Sequence, residues 1–159
     1  MVNTNLVIFG TGAHARKAYH CWTQTGGVVT AFADENTSAT SPVPGVAVVS
    51  AIDLAVPPSN GQLFIAIGRA EVRQRLMDQY AQNGWQFPAL VHPRASVAPD
   101  ATLEAGVLVA AGAVVESGTQ VGRGAIVDVG AIVDHDCRIA AFSHLRAGQV
   151  CPPASHWPE

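Results

Sequence analysis

Aliphatic side chains recur at every sixth position through the second half of the chain. The series runs through Val97, Leu103, Val109, Val115, Val121, Val127, Val133, Ile139 and Leu145, with Cys151 in the tenth slot. A helix would repeat its apolar positions every three to four residues, whereas a six-residue unit is typical of short strands joined by tight corners. The pattern therefore predicts a parallel β-helix of about three coils, in which three hexapeptides form one coil.

The predicted corners lie three residues after each aliphatic position, and glycine occupies most of them. These corner positions are Asp100, Gly106, Gly112, Gly118, Gly124, Gly130, Asp136, Phe142 and Gly148. Glycine adopts a positive φ without a steric penalty, and aspartate is enriched there. The repeat therefore predicts left-handed backbone at its corners.

The first half alternates apolar runs with helical spacing. An apolar run at residues 5–9 ends in the turn Gly10-Thr11-Gly12, and helical spacing follows over residues 13–22. Further runs end at Asp34 and at Gly68-Arg69, with a second helix predicted over residues 71–82. Strand and helix in alternation indicate a parallel α/β unit. We predict an α/β Rossmann-like domain at residues 1–92, closed by a strand at 87–91, and the β-helix at residues 93–159.

Composition narrows the classes of function. A formal net charge of -3 offers no basic footprint for nucleic acid. No apolar stretch approaches the ~18 to 20 residues of a membrane span, and the first nine residues lack the basic segment of a secretory signal. Three cysteines without CxxC spacing argue against a disulfide framework and a structural zinc site. We expect a cytoplasmic protein with reduced thiols, no metal and no nucleic-acid or membrane partner.

The glycine turn carries the first candidate chemistry. Gly10 and Gly12 allow a close approach of the backbone to a ligand, and the helix that follows directs its positive end at phosphate. Asp34 lies about 20 residues beyond the turn, where a carboxylate can accept from a ribose or a base. The unit is too small for two mononucleotide halves, so one nucleotide fits best. The alternative is that the turn is only a tight structural corner.

The whole chain resembles the hexapeptide-repeat sugar acetyltransferases, in the subgroup of sialic acid O-acetyltransferases and of enzymes that acetylate nucleotide-linked amino sugars. The resemblance lies in residues 7–15 (VIFGTGAHA), 65–69 (IAIGR), 90–93 (LVHP) and 133–137 (VDHDC). It implies a left-handed coil, a nucleotide sugar held by the glycine-rich domain, and acetyl-CoA as the co-substrate. A homotrimer is also implied, because threefold closure places grooves between identical subunits.

The same resemblance assigns residues to roles. It makes His135 the catalytic base with Asp136 as its acidic neighbour, and it places His144, together with Gly148, near the acetyl group or the coenzyme. The implied substrate-binding positions are Gly10, Gly12, His14, Asp34, Gly68 and Arg69.

The position of His135 supports the role of a base independently. It is the third residue of its hexapeptide, beside a corner, so its ring is expected to point out of the coil. An unperturbed imidazole pKa near 6.5 suits proton abstraction at neutral pH. Asp134 or Asp136 would fix the tautomer through the other ring nitrogen. Two alternatives stay open: Asp136 is only a corner residue, or Asp134 is only solvated surface.

For other residues a structural interpretation competes with a functional one. His14 contacts a sugar or phosphate, or else faces solvent at the start of the helix. Arg69 and Arg73 could meet phosphate, although Arg73 also fits an ordinary exposed helix face. Cys137 occupies an inward small-residue place, where a thiol behaves as a small hydrophobe.

The predicted reaction is acetyl transfer from acetyl-CoA to the amine of a nucleotide-linked amino sugar, for bacterial surface-glycan biosynthesis. O-acetylation of a sialic-acid-type sugar is the first alternative. A truncated, inactive nucleotide-sugar-binding module is another, because the aliphatic count decays after Cys151 at Pro152-Pro153. A zinc hydratase on the same coil is the weakest, because His135 and His144 lack a clear third ligand.

Overall fold

Four parallel strands form the sheet of the amino-terminal unit in the computed structural model, which describes residues 5–158. They are β1 (Asn5–Phe9), β2 (Val28–Asp34), β3 (Val48–Ser50) and β4 (Gln62–Ile65), in the order β3-β2-β1-β4. The helices are α1 (Ala13–Gln24), α2 (Ala70–Gln82) and a 3-10 turn at Ala51–Leu54. Sequence reasoning did not identify β3, whose three residues are too short to show a period.

The core of this unit follows from the alternation along its strands. Leu6 and Ile8 of β1 and Phe32 of β2 are fully buried, as is Leu63 of β4. Because all four strands are parallel, the carboxyl ends of β1, β2 and β4 meet at one edge of the sheet. That edge carries the glycine turn and Asp34.

The chain divides into the units Met1–Pro88 and Ala89–Glu159. The predicted boundary after residue 92 therefore lies a few residues late. The strand predicted at residues 87–91 is reduced to β5 (Leu90–Val91), which pairs with residues of the β-helix and belongs to it. Residues 1–4 and Glu159, at the outer ends of the two predicted domains, lie outside the described residues. Over residues 5–158, no helix combines the length and the apolar content needed to cross a membrane.

The carboxy-terminal unit is a β-helix of two-residue strands arranged in three parallel sheets of four. The first sheet contains β5, β8 (Leu108–Val109), β11 (Ile126–Val127) and β14 (His144–Leu145). The second contains β6 (Ser96–Val97), β9 (Val114–Val115), β12 (Ile132–Val133) and β15 (Val150–Cys151). The third contains β7 (Thr102–Leu103), β10 (Gln120–Val121), β13 (Arg138–Ile139) and β16 (His156–Trp157). The aliphatic side chains at every sixth position point inward and form the buried core, as predicted.

The three faces therefore carry twelve rungs over the described residues, two more than the ten slots of the aliphatic series indicate. The count misses β5, because Val91 looks like the end of an α/β strand, and β16, because Trp157 is aromatic. The expectation that the repeat ends after Cys151 is wrong, since Arg138 and Ile139 pair with His156 and Trp157. Trp157 packs against the aliphatic core and extends it by one rung.

The predicted corners have left-handed backbone with one exception, since Asp100 does not adopt a positive φ. Gly106, Gly112, Gly118, Gly124, Gly130 and Gly148 have φ between 63° and 71°. Asp136 (58°), Phe142 (60°) and Ala154 (52°) adopt the same left-handed conformation although they carry a Cβ. Ala154 continues the series beyond the last predicted corner.

Candidate active site

The two glycines of the amino-terminal turn differ in their surroundings. Gly10 has φ of 110°, and its N–H donates to the Ala33 carbonyl at 2.7 Å. A Cβ on Gly10 would lie 3.0 Å from Ile67 Cδ1 and 3.1 Å from the Ala66 carbonyl oxygen, so the fold itself requires glycine there. Gly12, the N-cap of α1, has φ of -91°, and a Cβ added to it would meet no atom within 4 Å. Open space therefore lies beside the start of α1.

Asp34 lies against this turn. Its Oδ2 accepts a hydrogen bond from Thr11 Oγ1 at 2.7 Å, and its Oδ1 accepts one from the Asn36 amide at 2.9 Å. The carboxylate thus joins the glycine turn to the loop after β2. Thr11 was not singled out from the sequence, and a threonine between two glycines carries no signal for this contact.

The loop after β4 reaches the same edge. A Cβ on Gly68 would lie 3.3 Å from His14 Cε1, so Gly68 and His14 are neighbours. Arg69 is the exposed N-cap residue of α2. The structure therefore brings together Gly10, Gly12, His14, Asp34 and Gly68, with Arg69 next to Gly68.

The assignment of Arg73 to an exposed helix face is wrong. Its side chain is 1% exposed, and its guanidinium donates to the carbonyls of Ile67 at 2.6 Å and Gly68 at 3.0 Å. Burial lowers the pKa of Arg73 to about 10. Both carbonyls lie beyond the end of β4, where a side-chain donor takes the place of sheet pairing, and the spacing of α2 alone does not reveal this. Arg73 therefore fixes the shape of the loop that carries Gly68.

His135 and Asp136 form a surface pair at a corner of the β-helix. His135 Nδ1 lies 2.9 Å from Asp136 Oδ2, and 55% of the histidine side chain is exposed. The hydrogen bond to Asp136 raises the pKa of His135, with smaller contributions from the charges of Asp134 and Glu116. An ionised carboxylate only accepts, so the proton of the neutral ring is on Nδ1 and the lone pair is on Nε2. The pair can therefore take a proton from a substrate through Nε2.

The geometry separates the roles of the two aspartates that flank His135. Asp134 Oδ1 accepts from the His135 backbone amide at 2.8 Å, and only Asp136 contacts the ring. Asp136 is at once a left-handed corner residue and the partner of the imidazole. The corner and tautomer interpretations of Asp136 are therefore compatible.

The backbone around His135 is held by the neighbouring rung. The His135 carbonyl accepts from the Ala154 amide at 2.8 Å, and the Asp134 carbonyl accepts from Thr119 Oγ1 at 3.0 Å. Cys137 Sγ is buried and donates to the Pro152 carbonyl at 3.1 Å. The Pro152 segment, expected to end the coil, supports the histidine instead.

His144 forms a second pair with an acid that sequence reasoning missed. Its Nε2 lies 3.2 Å from Oδ2 of Asp128, whose side chain is almost fully buried. The hexapeptide slot of Asp128 holds Glu104, Glu116 and Asp134 in other repeats, so an acid there gives no signal. Gly148 is a corner with φ of 71°, and its amide donates to the Val129 carbonyl at 3.0 Å.

Comparison with known proteins connects both units to one enzyme group. The family model of the PglD N-terminal domain matches residues 5–80. GDP-perosamine N-acetyltransferase from Caulobacter crescentus, in complex with CoA and GDP-perosamine, is 31% identical with a TM-score of 0.88, over 96% of this chain and 73% of that one. The acetyltransferase domain of PglB from Neisseria gonorrhoeae is 29% identical with a TM-score of 0.82, over 92% of this chain and 72% of that one. WeeI from Acinetobacter baumannii shares the fold, with 21% identity and a TM-score of 0.82, over 93% of this chain and 72% of that one.

These similarities extend over nearly the whole chain rather than over one unit. The fold is an α/β domain followed by a left-handed β-helix, as the sequence predicts. The hand opposes the ordinary preference for right-handed parallel crossovers. Periodicity alone does not determine it.

Proposed function

The chain belongs to the PglD-type sugar acetyltransferases, and on this premise we propose that it transfers the acetyl group of acetyl-CoA to the amine of a nucleotide-linked amino sugar. The enzyme is an acyltransferase, and acetyl-CoA is its co-substrate. The Caulobacter crescentus relative is named as an N-acetyltransferase, which supports an amine rather than a hydroxyl as the acceptor.

The observation that carries this proposal is the His135–Asp136 pair. The imidazole is exposed, its pKa is raised, and the contact of Asp136 with Nδ1 leaves the lone pair on Nε2. In the proposed step the amine nitrogen attacks the thioester carbonyl and Nε2 takes the amine proton. The carbon–sulfur bond then breaks, and the thiolate of CoA receives the proton held by Nε2. Most of the acceleration comes from holding both substrates in attack geometry.

The nucleotide sugar is proposed to bind at the edge of the amino-terminal sheet. The open space beside Gly12 and the amides at the start of α1 suit a phosphate. Asp34, His14, Gly68 and Arg69 are proposed to surround the nucleotide and sugar. His144 and Gly148 are proposed to lie along the acetyl-CoA.

We also propose a homotrimer, because one of the three faces of the β-helix presents exposed aliphatic side chains. The sheet β6-β9-β12-β15 presents Val114, Ile132 and Val150, with Ile132 39% and Val150 53% exposed. Stacked exposed aliphatics are typical of a surface that another chain covers. His135 follows β12 on the chain, so an interface on this face would place it beside a neighbouring subunit.

The proposed setting is cytoplasmic and in bacterial surface-glycan biosynthesis. Acetyl-CoA and nucleotide sugars are metabolites of the cytoplasm. Cys21, Cys137 and Cys151 are all free thiols, which suits a reducing compartment.

The test is release of CoA by the purified chain with acetyl-CoA and a panel of UDP- and GDP-linked amino sugars. His135→Ala is expected to lower kcat by ~10²- to 10⁴-fold and to leave both KM values nearly unchanged, as for the loss of a general base. His20→Ala, at an exposed histidine of α1, is the matched control and is expected to keep full turnover. Full turnover by His135→Ala would overturn the assignment of the base. Tight sugar-nucleotide binding without any turnover would instead identify a binding module.

A further inference from the structure

A second acid–histidine pair lies on one face of the β-helix. Asp128 directly follows β11, and His144 begins β14, the rung that pairs with β11 through Ile126 and Val127. Asp128 Oδ2 lies 3.2 Å from His144 Nε2. The carboxyl side chain is 7% exposed and the imidazole 24%, so this pair is much more buried than His135 and Asp136.

The Asp128 carboxylate is held in one direction by its own backbone. Its Oδ1 accepts from the Val129 amide at 2.7 Å, while the Asp128 amide donates to the Leu145 carbonyl at 2.9 Å. A buried carboxylate is costly unless its oxygens are hydrogen-bonded, and here one oxygen is satisfied by the main chain. The direction of the other oxygen is then fixed as well, and it is the oxygen at His144.

The two pairs use opposite nitrogens of their rings. Asp136 contacts Nδ1 of His135, whereas Asp128 contacts Nε2 of His144. Because an ionised carboxylate only accepts, each acid places a proton on the nitrogen that it contacts. The neutral rings are therefore expected as the Nδ1–H tautomer at His135 and the Nε2–H tautomer at His144.

We propose that Asp128 is a positioning residue, which holds His144 as the Nε2–H tautomer in one ring orientation so that His144 serves the acetyl donor through its Nδ1 edge. The part that concerns acetyl-CoA rests on the function proposed above. The part that concerns the tautomer rests only on the contacts of Asp128.

Substitution by asparagine reverses the polarity of this contact. Asparagine has a single side-chain oxygen, and the Val129 amide retains it. The NH₂ group then faces His144 Nε2 and can only donate, so the ring must place its proton on Nδ1. Asp128→Asn is therefore expected to invert the tautomer of His144 at nearly constant volume.

The experiment is ¹⁵N NMR of the full chain with labelled histidine, about two units above the ordinary imidazole pKa of about 6.5. His144→Gln assigns the His144 signals. The native chain is expected to show Nε2–H, and Asp128→Asn is expected to show Nδ1–H. Asp134→Asn, an acid in the same slot of the next hexapeptide, is the matched control and should leave the His144 tautomer unchanged.

Steady-state kinetics supply the second readout. Asp128→Asn is expected to raise the KM for acetyl-CoA by up to about tenfold, the effect of losing one hydrogen bond to the Nδ1 lone pair, and to leave the KM for the nucleotide sugar unchanged. A loss of packing alone would not separate the two KM values. Circular dichroism and thermal unfolding establish that the variant folds.

Several outcomes would overturn the proposal. Nδ1–H at His144 in the native chain would do so even if Asp128→Asn failed to fold. An unchanged tautomer in a folded Asp128→Asn variant would also do so. A native chain without acetyl transfer contradicts the proposed function, whereas the NMR result does not depend on turnover and would still decide the role of Asp128 toward the ring.

Discussion

Asp136 raises the proton affinity of His135. The hydrogen bond from Nδ1 to the carboxylate stabilises the protonated ring and raises the pKa of His135. A general base must be neutral before it accepts a proton. Activity is therefore expected to be present above the raised pKa of His135 and to be lost as pH falls through it.

Asp136→Asn tests whether the charge of Asp136 raises the pKa of His135, because it replaces one carboxylate oxygen by an NH₂ group. Asparagine tolerates the left-handed corner that Asp136 occupies, so the corner is kept. Its side-chain oxygen still accepts from Nδ1, but the negative charge is gone. The acidic limb of the kcat/KM profile is expected to move to lower pH, with a smaller loss of maximal rate than in His135→Ala. An unmoved limb would assign the titration to a group other than His135.

Within the glycine turn, the fold requires Gly10, whereas ligand binding is proposed to require Gly12. Gly12→Val is expected to abolish nucleotide-sugar binding, because a branched side chain would enter the open space beside α1 where a phosphate is proposed to lie. At φ of -91° valine is allowed, and the loss of glycine at an N-cap costs up to about 1 kcal/mol of stability. Calorimetric titration with the nucleotide sugar measures the effect, and thermal unfolding establishes folding.

Gly10→Ala is the contrasting variant for the same element. Its Cβ would press against the Ala66 carbonyl at a φ of 110°, so it should lower the unfolding temperature. Unchanged affinity in a folded Gly12→Val variant would reduce the whole turn to a structural corner.

The elements also show why sequence predicts some features and misses others. The β-helix is predictable because one inward position and one corner repeat with a fixed period, and each repeat adds to the signal. Its end rungs are not, since Leu90–Val91 follows an α/β domain and Trp157 breaks the aliphatic series. The contacts of Arg73 and Asp128 depend on which side chains meet after folding, and residue type in a periodic slot does not encode that.

At the scale of the whole molecule, the same fold period produces faces of different chemistry. The sheet β7-β10-β13-β16 presents Thr102, Gln120, Arg138 and His156, all exposed and polar, whereas β6-β9-β12-β15 presents Ser96 and then three aliphatic side chains. A period of six places one residue of each rung on the outside. The outward residues of one face can therefore be polar while those of another face are apolar. The apolar face beside the His135 corner would be exposed to water in a monomer, whereas a trimer would bury it in the subunit interfaces.

Ile132→Glu tests the proposed trimer. A charge in the middle of the aliphatic face would be buried three times around a threefold axis, so the variant is expected to sediment as a monomer with an unchanged circular dichroism spectrum. Turnover should fall with it, because His135 would lose the neighbouring subunit proposed to complete its groove. Gln120→Glu is the matched control on the polar face, where the new carboxylate meets Arg138, and it should leave assembly and activity intact. A native chain that sediments as an active monomer, or an Ile132→Glu variant that stays trimeric, would show that this face is not the interface.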